Sequence, residues 1–139
     1  MDENKIEKAI GDVEVFIQHF NSPFGETQSK FLYGQCYWFA KILEARFTPF
    51  YYTDIVYSQI ENHFYFSVRI EQCFLLFDIR GLYQKVDKLP EAFYFWDDYI
   101  AHEPLDAARV YRDCIWQMDN NQWAALSEEL RNHPWYYFF

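Results

Sequence analysis

Three residues whose types act together in cysteine enzymes occur in order along the chain: Cys36, His63 and Asp78. A cysteine nucleophile attacks as its thiolate, and both a helix N-terminus and a neighbouring imidazole favour that form. A histidine in this role needs an acceptor on its second ring nitrogen, and a carboxylate there fixes its tautomer and orientation. Together these residue types predict a Cys-His-Asp triad with Cys36 as the nucleophile.

The segment that begins at Cys36 has the spacing of a buried helix. Its apolar residues recur three and four positions apart and include Cys36, Ala40, Leu43 and Phe47. The pattern stops before Pro49, because proline cannot continue a helix. Cys36 is therefore expected at a helix start, where the unpaired backbone N–H groups and the helix dipole favour an anion.

Residues 62–70 and 73–79 carry the alternating pattern of two β-strands. Their apolar sides align as a hairpin, with Phe64, Phe66, Val68 and Ile70 on the first strand and Cys73, Leu75, Phe77 and Ile79 on the second. In the expected register, opposed residues have numbers that sum to 141. This register places His63 directly opposite Asp78, with Cβ atoms roughly 5 Å apart. Cys73 points to the other face and is not expected to compete as a nucleophile.

The oxyanion that forms during acyl transfer needs hydrogen-bond donors. The backbone N–H of Cys36 supplies one donor at the helix start. For a side-chain donor the sequence offers Gln28, a few residues upstream, and Gln35, next to the nucleophile. Each of the two is also consistent with an ordinary loop amide, so the choice of side-chain donor stays open.

The segment around the nucleophile, residues 34–43 (GQCYWFAKIL), resembles the G-x-C-x-x-x-A-x-x-L helix of transglutaminase-like cysteine enzymes, a superfamily of the papain-like clan. Residues 63–68 (HFYFSV) resemble the histidine strand of that family and residues 76–79 (LFDI) its aspartate strand, in the same chain order. Where the family has Ala or Val and then Trp after its histidine, this chain has Phe64 and Tyr65. The resemblance implies the same catalytic roles for Cys36, His63 and Asp78.

The function implied by this resemblance is that of a small bacterial or phage cysteine hydrolase or acyltransferase, of the deamidase, peptidase or cross-linking type. Its substrate would be an amide or thioester of a protein or peptide, and neither a cofactor nor a metal ion is expected. One alternative is a non-enzymatic protein-binding module, for example a phage-encoded inhibitor of a host system. A weaker interpretation is a nuclease that holds magnesium with Asp97, Asp98 and Glu103.

The chain of 139 residues is expected to form a single domain, 1–139, of the α+β class. The predicted architecture is an antiparallel sheet with the nucleophile-bearing helix packed on it and further helices at both termini. Helices are expected at residues 2–20, 105–117 and 122–131, with a loop at 21–28. In the helix at 105–117 and just beyond it, the residues expected on one face are Ala108, Tyr111, Ile115 and Met118.

Charge and cysteine content limit the partners. The net charge of -9, from 21 acidic and 12 basic residues, argues against nucleic acid, because phosphate binding needs clustered Lys and Arg. No apolar stretch has the length of a membrane span and the N-terminus lacks a signal-peptide pattern, so a cytoplasmic protein is expected. The three widely spaced cysteines favour free thiols. The aromatic residues 135–139 are expected to pack on the domain or to form a homodimer interface.

Overall fold

The structure, a computed structural model, describes residues 3–24, 36–115 and 120–132. Its α-helices are α1 (Glu3–Phe24), α2 (Cys36–Phe47), α3 (Trp96–His102), α4 (Pro104–Val110) and α5 (Asn120–Arg131). A π-helical turn, Tyr111–Ile115, follows α4 directly. The strands are β1 (Tyr52–Ser58), β2 (His63–Ile70), β3 (Cys73–Asp78), β4 (Gly81–Val86) and β5 (Phe93–Phe95).

The five strands form one antiparallel sheet in the order β4-β3-β2-β1-β5. Helices α1 and α2 bury their apolar sides against one face of this sheet, where water is excluded from a continuous aromatic core. The phenylalanines of that core include Phe16, Phe20, Phe39, Phe47, Phe66 and Phe77. The predicted α+β class, with helices towards both ends of the chain, is confirmed.

Helix α1 follows the predicted apolar stripe but ends later than expected. Ile6, Val13 and Phe20 are fully buried against the sheet, as the helical spacing requires. Residues 21–24 continue the helix, so the loop predicted to begin at residue 21 is wrong there; residues 25–28 lie outside the described residues.

The β2–β3 hairpin differs in register from the expected one. Ile70 pairs with Cys73, so paired residues have numbers that sum to 143, and the predicted sum of 141 is wrong. This pairing keeps both apolar residues in the ladder and leaves the polar Glu71 and Gln72 to form the turn, with Glu71 at φ 56°. Because the register is shifted by two, every side chain keeps its predicted face, and the apolar face packs on the helices.

The other face of the sheet is partly covered by the segment that follows β4. Tyr65 is buried there, and it stacks on Tyr83 at 4.7 Å and on Phe93 at 5.6 Å between ring centroids. The chain then passes through β5 into α3. Residues 83–104, which the sequence pattern left unassigned, thus contain most of β4, all of β5 and α3, and the turns between them.

The predicted helix at 105–117 is divided into α4 and the π-helical turn, and its buried side differs from the predicted one. Ala107, Val110 and Ile115 are buried, whereas Ala108 and Tyr111 are exposed. A π-helix bonds each residue to the fifth one along, so a spacing of 3.6 residues does not continue through it. Met118 lies outside the described residues, and α5 agrees with the helix predicted at 122–131.

Candidate active site

Cys36, His63 and Asp78 lie together at one end of the sheet. Cys36 is the first residue of α2, His63 is the first residue of β2 and Asp78 is the last residue of β3. The open end of the β2–β3 hairpin therefore meets the N-terminus of α2. All three residues are almost fully buried, with 7%, 7% and 4% of their surface exposed. The structure brings the three predicted triad residues to one place.

His63 and Asp78 form the first link of the site. The Nε2 atom of His63 lies 3.0 Å from Oδ2 of Asp78, where a protonated ring nitrogen donates to the carboxylate. The two residues are diagonal neighbours in the observed register rather than directly opposed, as had been predicted. A diagonal pair on one sheet face remains within reach of side chains of this length. The bond leaves Nδ1 as the ring nitrogen available to a second partner.

The Cys36 thiol is the second link. Its Sγ accepts a hydrogen bond from the backbone N–H of Phe64 at 3.4 Å, just beyond the last β2–β3 pair. The pKa of His63 reflects both neighbours: burial lowers it, but hydrogen bonds to Asp78 and to the Cys36 sulfur, with their charges, outweigh burial and raise it to about 9. The imidazole is therefore protonated at neutral pH.

Arg80 holds the carboxylate of Asp78 and was not identified from the sequence. Its Nη2 and Nε atoms donate to Oδ2 at 2.5 and 3.0 Å, and its backbone N–H donates to Oδ1 at 2.8 Å. Burial raises the pKa of Asp78, but the hydrogen bonds from His63 and Arg80 outweigh it and lower the pKa overall. The contact depends on the two-residue turn between β3 and β4, in which Asp78 pairs with Gly81, and the sequence alone gave no signal of it.

The thiol borders a narrow crevice that has no room for a water molecule. Its walls come from α2, from the start of β2 and from the end of β3, and they are formed by Cys36, Phe39, Ala40, Phe64, Phe77, Asp78 and Ile79. Ala40 lies one turn after Cys36, so its small side chain keeps this space from being filled by α2 itself.

The chain matches no protein-family model, no curated protein and no solved structure. The resemblance of residues 34–43, 63–68 and 76–79 to transglutaminase-like enzymes thus remains a prediction. What the site can do follows from its own atoms, which are a buried thiol and, beside it, an imidazole that is hydrogen-bonded to a carboxylate.

The other cysteines lie outside this arrangement. Cys73 is buried in the core between the sheet and the helices, on the face predicted for it, and burial raises the pKa of its thiol. Cys114, in the π-helical turn, is half-buried and accepts a long hydrogen bond from Asn62 Nδ2 at 3.5 Å. Burial, and then the charge of Cys36, raise the pKa of Cys114. Both environments disfavour a thiolate.

Gln28 and Gln35, the predicted side-chain donors to an oxyanion, lie outside the described residues, as do the aromatic residues 135–139. In the part of the chain that the structure describes, no group of three or more His, Cys, Asp or Glu side chains is arranged to hold a metal ion. Nor does any helix there combine the length and the apolar character needed to cross a membrane.

Proposed function

We propose that this protein is a cysteine-dependent hydrolase or acyltransferase that acts on an amide or thioester carbonyl of a protein or peptide. The observation that carries the proposal is the placement of His63 between two partners. Its Nε2 is bonded to Asp78 at 3.0 Å, and interactions with Asp78 and then with the Cys36 sulfur outweigh burial and raise the imidazole pKa to about 9. A histidine in such a chain serves as a proton shuttle whose orientation is fixed by the carboxylate.

In the first half-reaction the Cys36 thiolate attacks the carbonyl carbon and forms a C–S bond, while the carbonyl π electrons move to oxygen. The backbone N–H of Cys36 at the start of α2 stabilises the oxyanion. The oxyanion then collapses and breaks the bond to the leaving amine or thiolate. The His63 imidazolium gives its proton to the leaving amine or thiolate, so that ammonia, an amine or a thiol departs, and a Cys36 thioester and a neutral His63 remain.

In the second half-reaction the neutral His63 takes a proton from water or from an amine, which attacks the thioester carbonyl. The C–S bond breaks, and Cys36 leaves as a thiolate beside the newly protonated imidazole. Attack by water gives a deamidase or a peptidase, and attack by an amine gives a cross-linking enzyme. Asp78 stays ionised throughout, and it orients the imidazole and stabilises its charged form.

Charge supports a protein or peptide as the target. A net charge of -9 disfavours a nucleic-acid substrate and suits a basic or neutral polypeptide. We place the protein in the cytoplasm, where thiols stay reduced, because a cysteine nucleophile and two further free cysteines are consistent with a reducing compartment.

The test is capture of the acyl-enzyme. The protein is incubated with a peptide thioester, and the intact mass and the modified residue are determined by mass spectrometry. We expect one acyl group on Cys36, none in Cys36→Ala, and an unchanged result in Cys73→Ala, which serves as the matched control. Adding a fluorescent primary amine then separates transfer from hydrolysis. If acylation is absent, or if it falls equally on all three cysteines, the proposal is overturned.

A second candidate function is that of a non-enzymatic protein-binding module, such as an inhibitor of a host system. The observation that favours it is the closed crevice at Cys36, whose thiol residue is only 7% exposed. If the protein is such a module, its Cys36→Ala variant should bind the target as tightly as the wild type does. Full binding by that variant, together with a failure of Cys36 to accept an acyl group, would identify this second function.

A further inference from the structure

A groove of about 440 Å³ lies beside the site, between α2, the first half of β1 and the start of α3. We call it the edge groove. It begins at Tyr37, the residue after Cys36, and its lining is completed by Lys41, Glu44, Tyr52, Thr53, Asp54, Ile55, Arg69, Phe95, Trp96, Asp97 and Asp98. The catalytic proposal makes no use of it.

The groove exposes the edge of a β-strand. Strand β5 pairs with β1 only at residues 56–58, and no other described strand pairs with residues 52–55 on that side. All four of these consecutive residues line the groove. Successive side chains of a strand point to opposite faces of the sheet, so these four side chains cannot all point into the groove. All four residues line it because the groove runs along the backbone edge of the strand.

The backbone hydrogen bonding fixes which groups point into the groove. The N–H of Gln59 donates to the carbonyl of Ala92 at 2.9 Å, on the β5 side of β1. N–H and C=O groups alternate in direction along a strand, so those of Thr53 and Ile55 point to the same side. There they meet the edge groove instead of a partner strand, which is the arrangement that an added strand requires.

The unpaired charge of the groove is negative. The side-chain carboxylates of Asp54, Asp97 and Asp98 make no ion pair or hydrogen bond with any described residue, and burial and then the charge of Asp97 raise the pKa of Asp54. Two cations, Lys41 and Arg69, also line the groove against four carboxylates, and the positive charge of Arg69 acts on Asp54. Lys41 pairs with Glu44 at 2.7 Å, and Arg69 donates to the Glu71 carbonyl at 3.1 Å.

The adjoining sheet face has a further unsatisfied polar group. Ser67 is paired with Asp54 and lies two residues before Arg69 on the same side of β2. Its hydroxyl is buried and has no hydrogen-bond partner among the residues that the structure describes. The Ser67 hydroxyl therefore lacks the partner that a buried polar group normally has.

We propose that the edge groove binds an extended, basic segment of another protein, which adds to β1 as a strand. Backbone hydrogen bonds to Thr53 and Ile55 would hold the segment, and its Lys or Arg side chains would pair with Asp54 and Asp97. A second copy of this chain is disfavoured, because each copy carries a net charge of -9 and the same carboxylates would face each other. This binding does not depend on the chemistry of Cys36.

The free edge of four residues sets the length of the bound segment. At about 3.3 Å per residue, residues 52–55 span about 13 Å, which suits a core of four residues within a short peptide. The probes are three labelled hexapeptides: alternating Lys and Val, the same peptide N-methylated at every second residue, and alternating Glu and Val. Fluorescence anisotropy at low salt measures the binding of each.

We expect the Lys peptide to bind, the N-methylated peptide to bind at least about 10-fold more weakly, and the Glu peptide not to bind. N-methylation removes backbone donors and keeps the charge, so equal binding of the two Lys peptides would overturn strand addition and leave charge attraction alone. Cys36→Ala should bind like the wild type, so this result is separable from the outcome of the acyl-enzyme experiment.

Variants of the edge itself complete the test. Thr53→Pro removes the N–H that points into the groove and leaves the β1–β2 hydrogen bonds in place, since proline is tolerated at a strand edge. Both Thr53→Pro and Thr53→Val remove the Thr53 hydroxyl, which is hydrogen-bonded to Thr48 at 2.7 Å. Thr53→Val keeps the backbone N–H and is therefore the matched control. We expect at least about 10-fold weaker binding for Thr53→Pro and little change for Thr53→Val. A homodimer in sedimentation that Thr53→Pro abolishes would overturn the proposal in favour of self-pairing.

Discussion

Asp78 reaches His63 diagonally across the β2–β3 pair, with 3.0 Å between Oδ2 and Nε2. Extending the register by one pair places Tyr65 opposite Asp78. The ring of Tyr65 packs against the imidazole edge to face, with 4.7 Å between centroids. His63 is thus held by a carboxylate on one nitrogen and by an aromatic ring against its edge or face.

The Asp78–His63 bond predicts how the imidazole titrates. Replacing Asp78 by Asn removes the negative charge that stabilises the imidazolium, so the pKa of His63 should fall from about 9 towards the ordinary 6.5. Histidine side-chain NMR titration measures this directly. Acyl transfer should slow by about 100-fold or more, because the tautomer is no longer fixed.

The same titration has a consequence for stability. The pKa of His63 is raised in the folded protein, so its contribution to stability is complete below about 6.5 and is lost as pH rises through about 9. The wild type should lose stability over this window, whereas Asp78→Asn should lose much less. Asp87→Asn, which changes an exposed carboxylate after β4, is the control and should leave the His63 titration unchanged.

The thiols should differ in reactivity. Iodoacetamide reacts with thiolates, and Cys36 lies at a helix start beside a protonated imidazole, whereas burial raises the pKa of Cys73 and of Cys114. We expect Cys36 to be alkylated at least about 10-fold faster at pH 7, as measured by peptide mass spectrometry over time. Equal and slow labelling of all three cysteines would contradict an activated nucleophile at Cys36.

Much of the candidate site could be predicted from the sequence because side-chain direction in a strand depends on parity alone. His63 and Asp78 are an odd number of residues apart across a two-residue turn, so they share a face in either register. The helix start at Cys36 followed equally from the apolar spacing of residues 36–47. Local patterns of this kind require no knowledge of the rest of the chain.

The features that could not be predicted depend on contacts between distant segments. Arg80 meets Asp78 because the turn at Gly81 folds the chain back, and an isolated Asp-x-Arg sequence gives no indication of this. The edge groove exists because β5 ends at Phe95, where α3 begins, and leaves half of β1 uncovered. The π-helical turn inserts one residue into the helical spacing, so the buried face of the helix predicted at 105–117 is shifted from the predicted one. Residue propensities do not indicate where such an insertion occurs.

Arg80 should act as a positioning residue for Asp78. Arg80→Gln removes the cation and the forked hydrogen bonds to the carboxylate. We expect a loss of about 1–2 kcal/mol at pH 7, discounted for the half-exposed guanidinium. The pKa of Asp78 is lowered in the fold, so its contribution is complete above about 3.8 and is lost as pH falls through its native value.

The stability difference between the wild type and Arg80→Gln should therefore shrink as the pH is brought below about 3.8, as measured by denaturant unfolding. Arg112→Gln is the matched control, because Arg112 is largely exposed and pairs only with its neighbour Asp113 at 3.3 Å. A positioning role also requires a slower alkylation of Cys36 in Arg80→Gln. Unchanged alkylation, with the same loss of stability, would reduce Arg80 to a structural role.

The turn that carries Arg80 depends on a glycine. Gly81 has φ 108°, which side chains rarely adopt, and a Cβ there would lie 2.9 Å from the Glu14 Oε2. The Glu14 carboxylate is the end of a flexible side chain and can move, so the backbone strain dominates. Gly81→Ala should lower the free energy of unfolding by about 1–2 kcal/mol. Gly11→Ala, in α1 with nothing within 4 Å of the new Cβ, should instead raise it by about 0.5–1 kcal/mol. Denaturant unfolding measures the free energy of unfolding of both variants. A Gly81→Ala variant more stable than the wild type would show that the turn tolerates an ordinary residue.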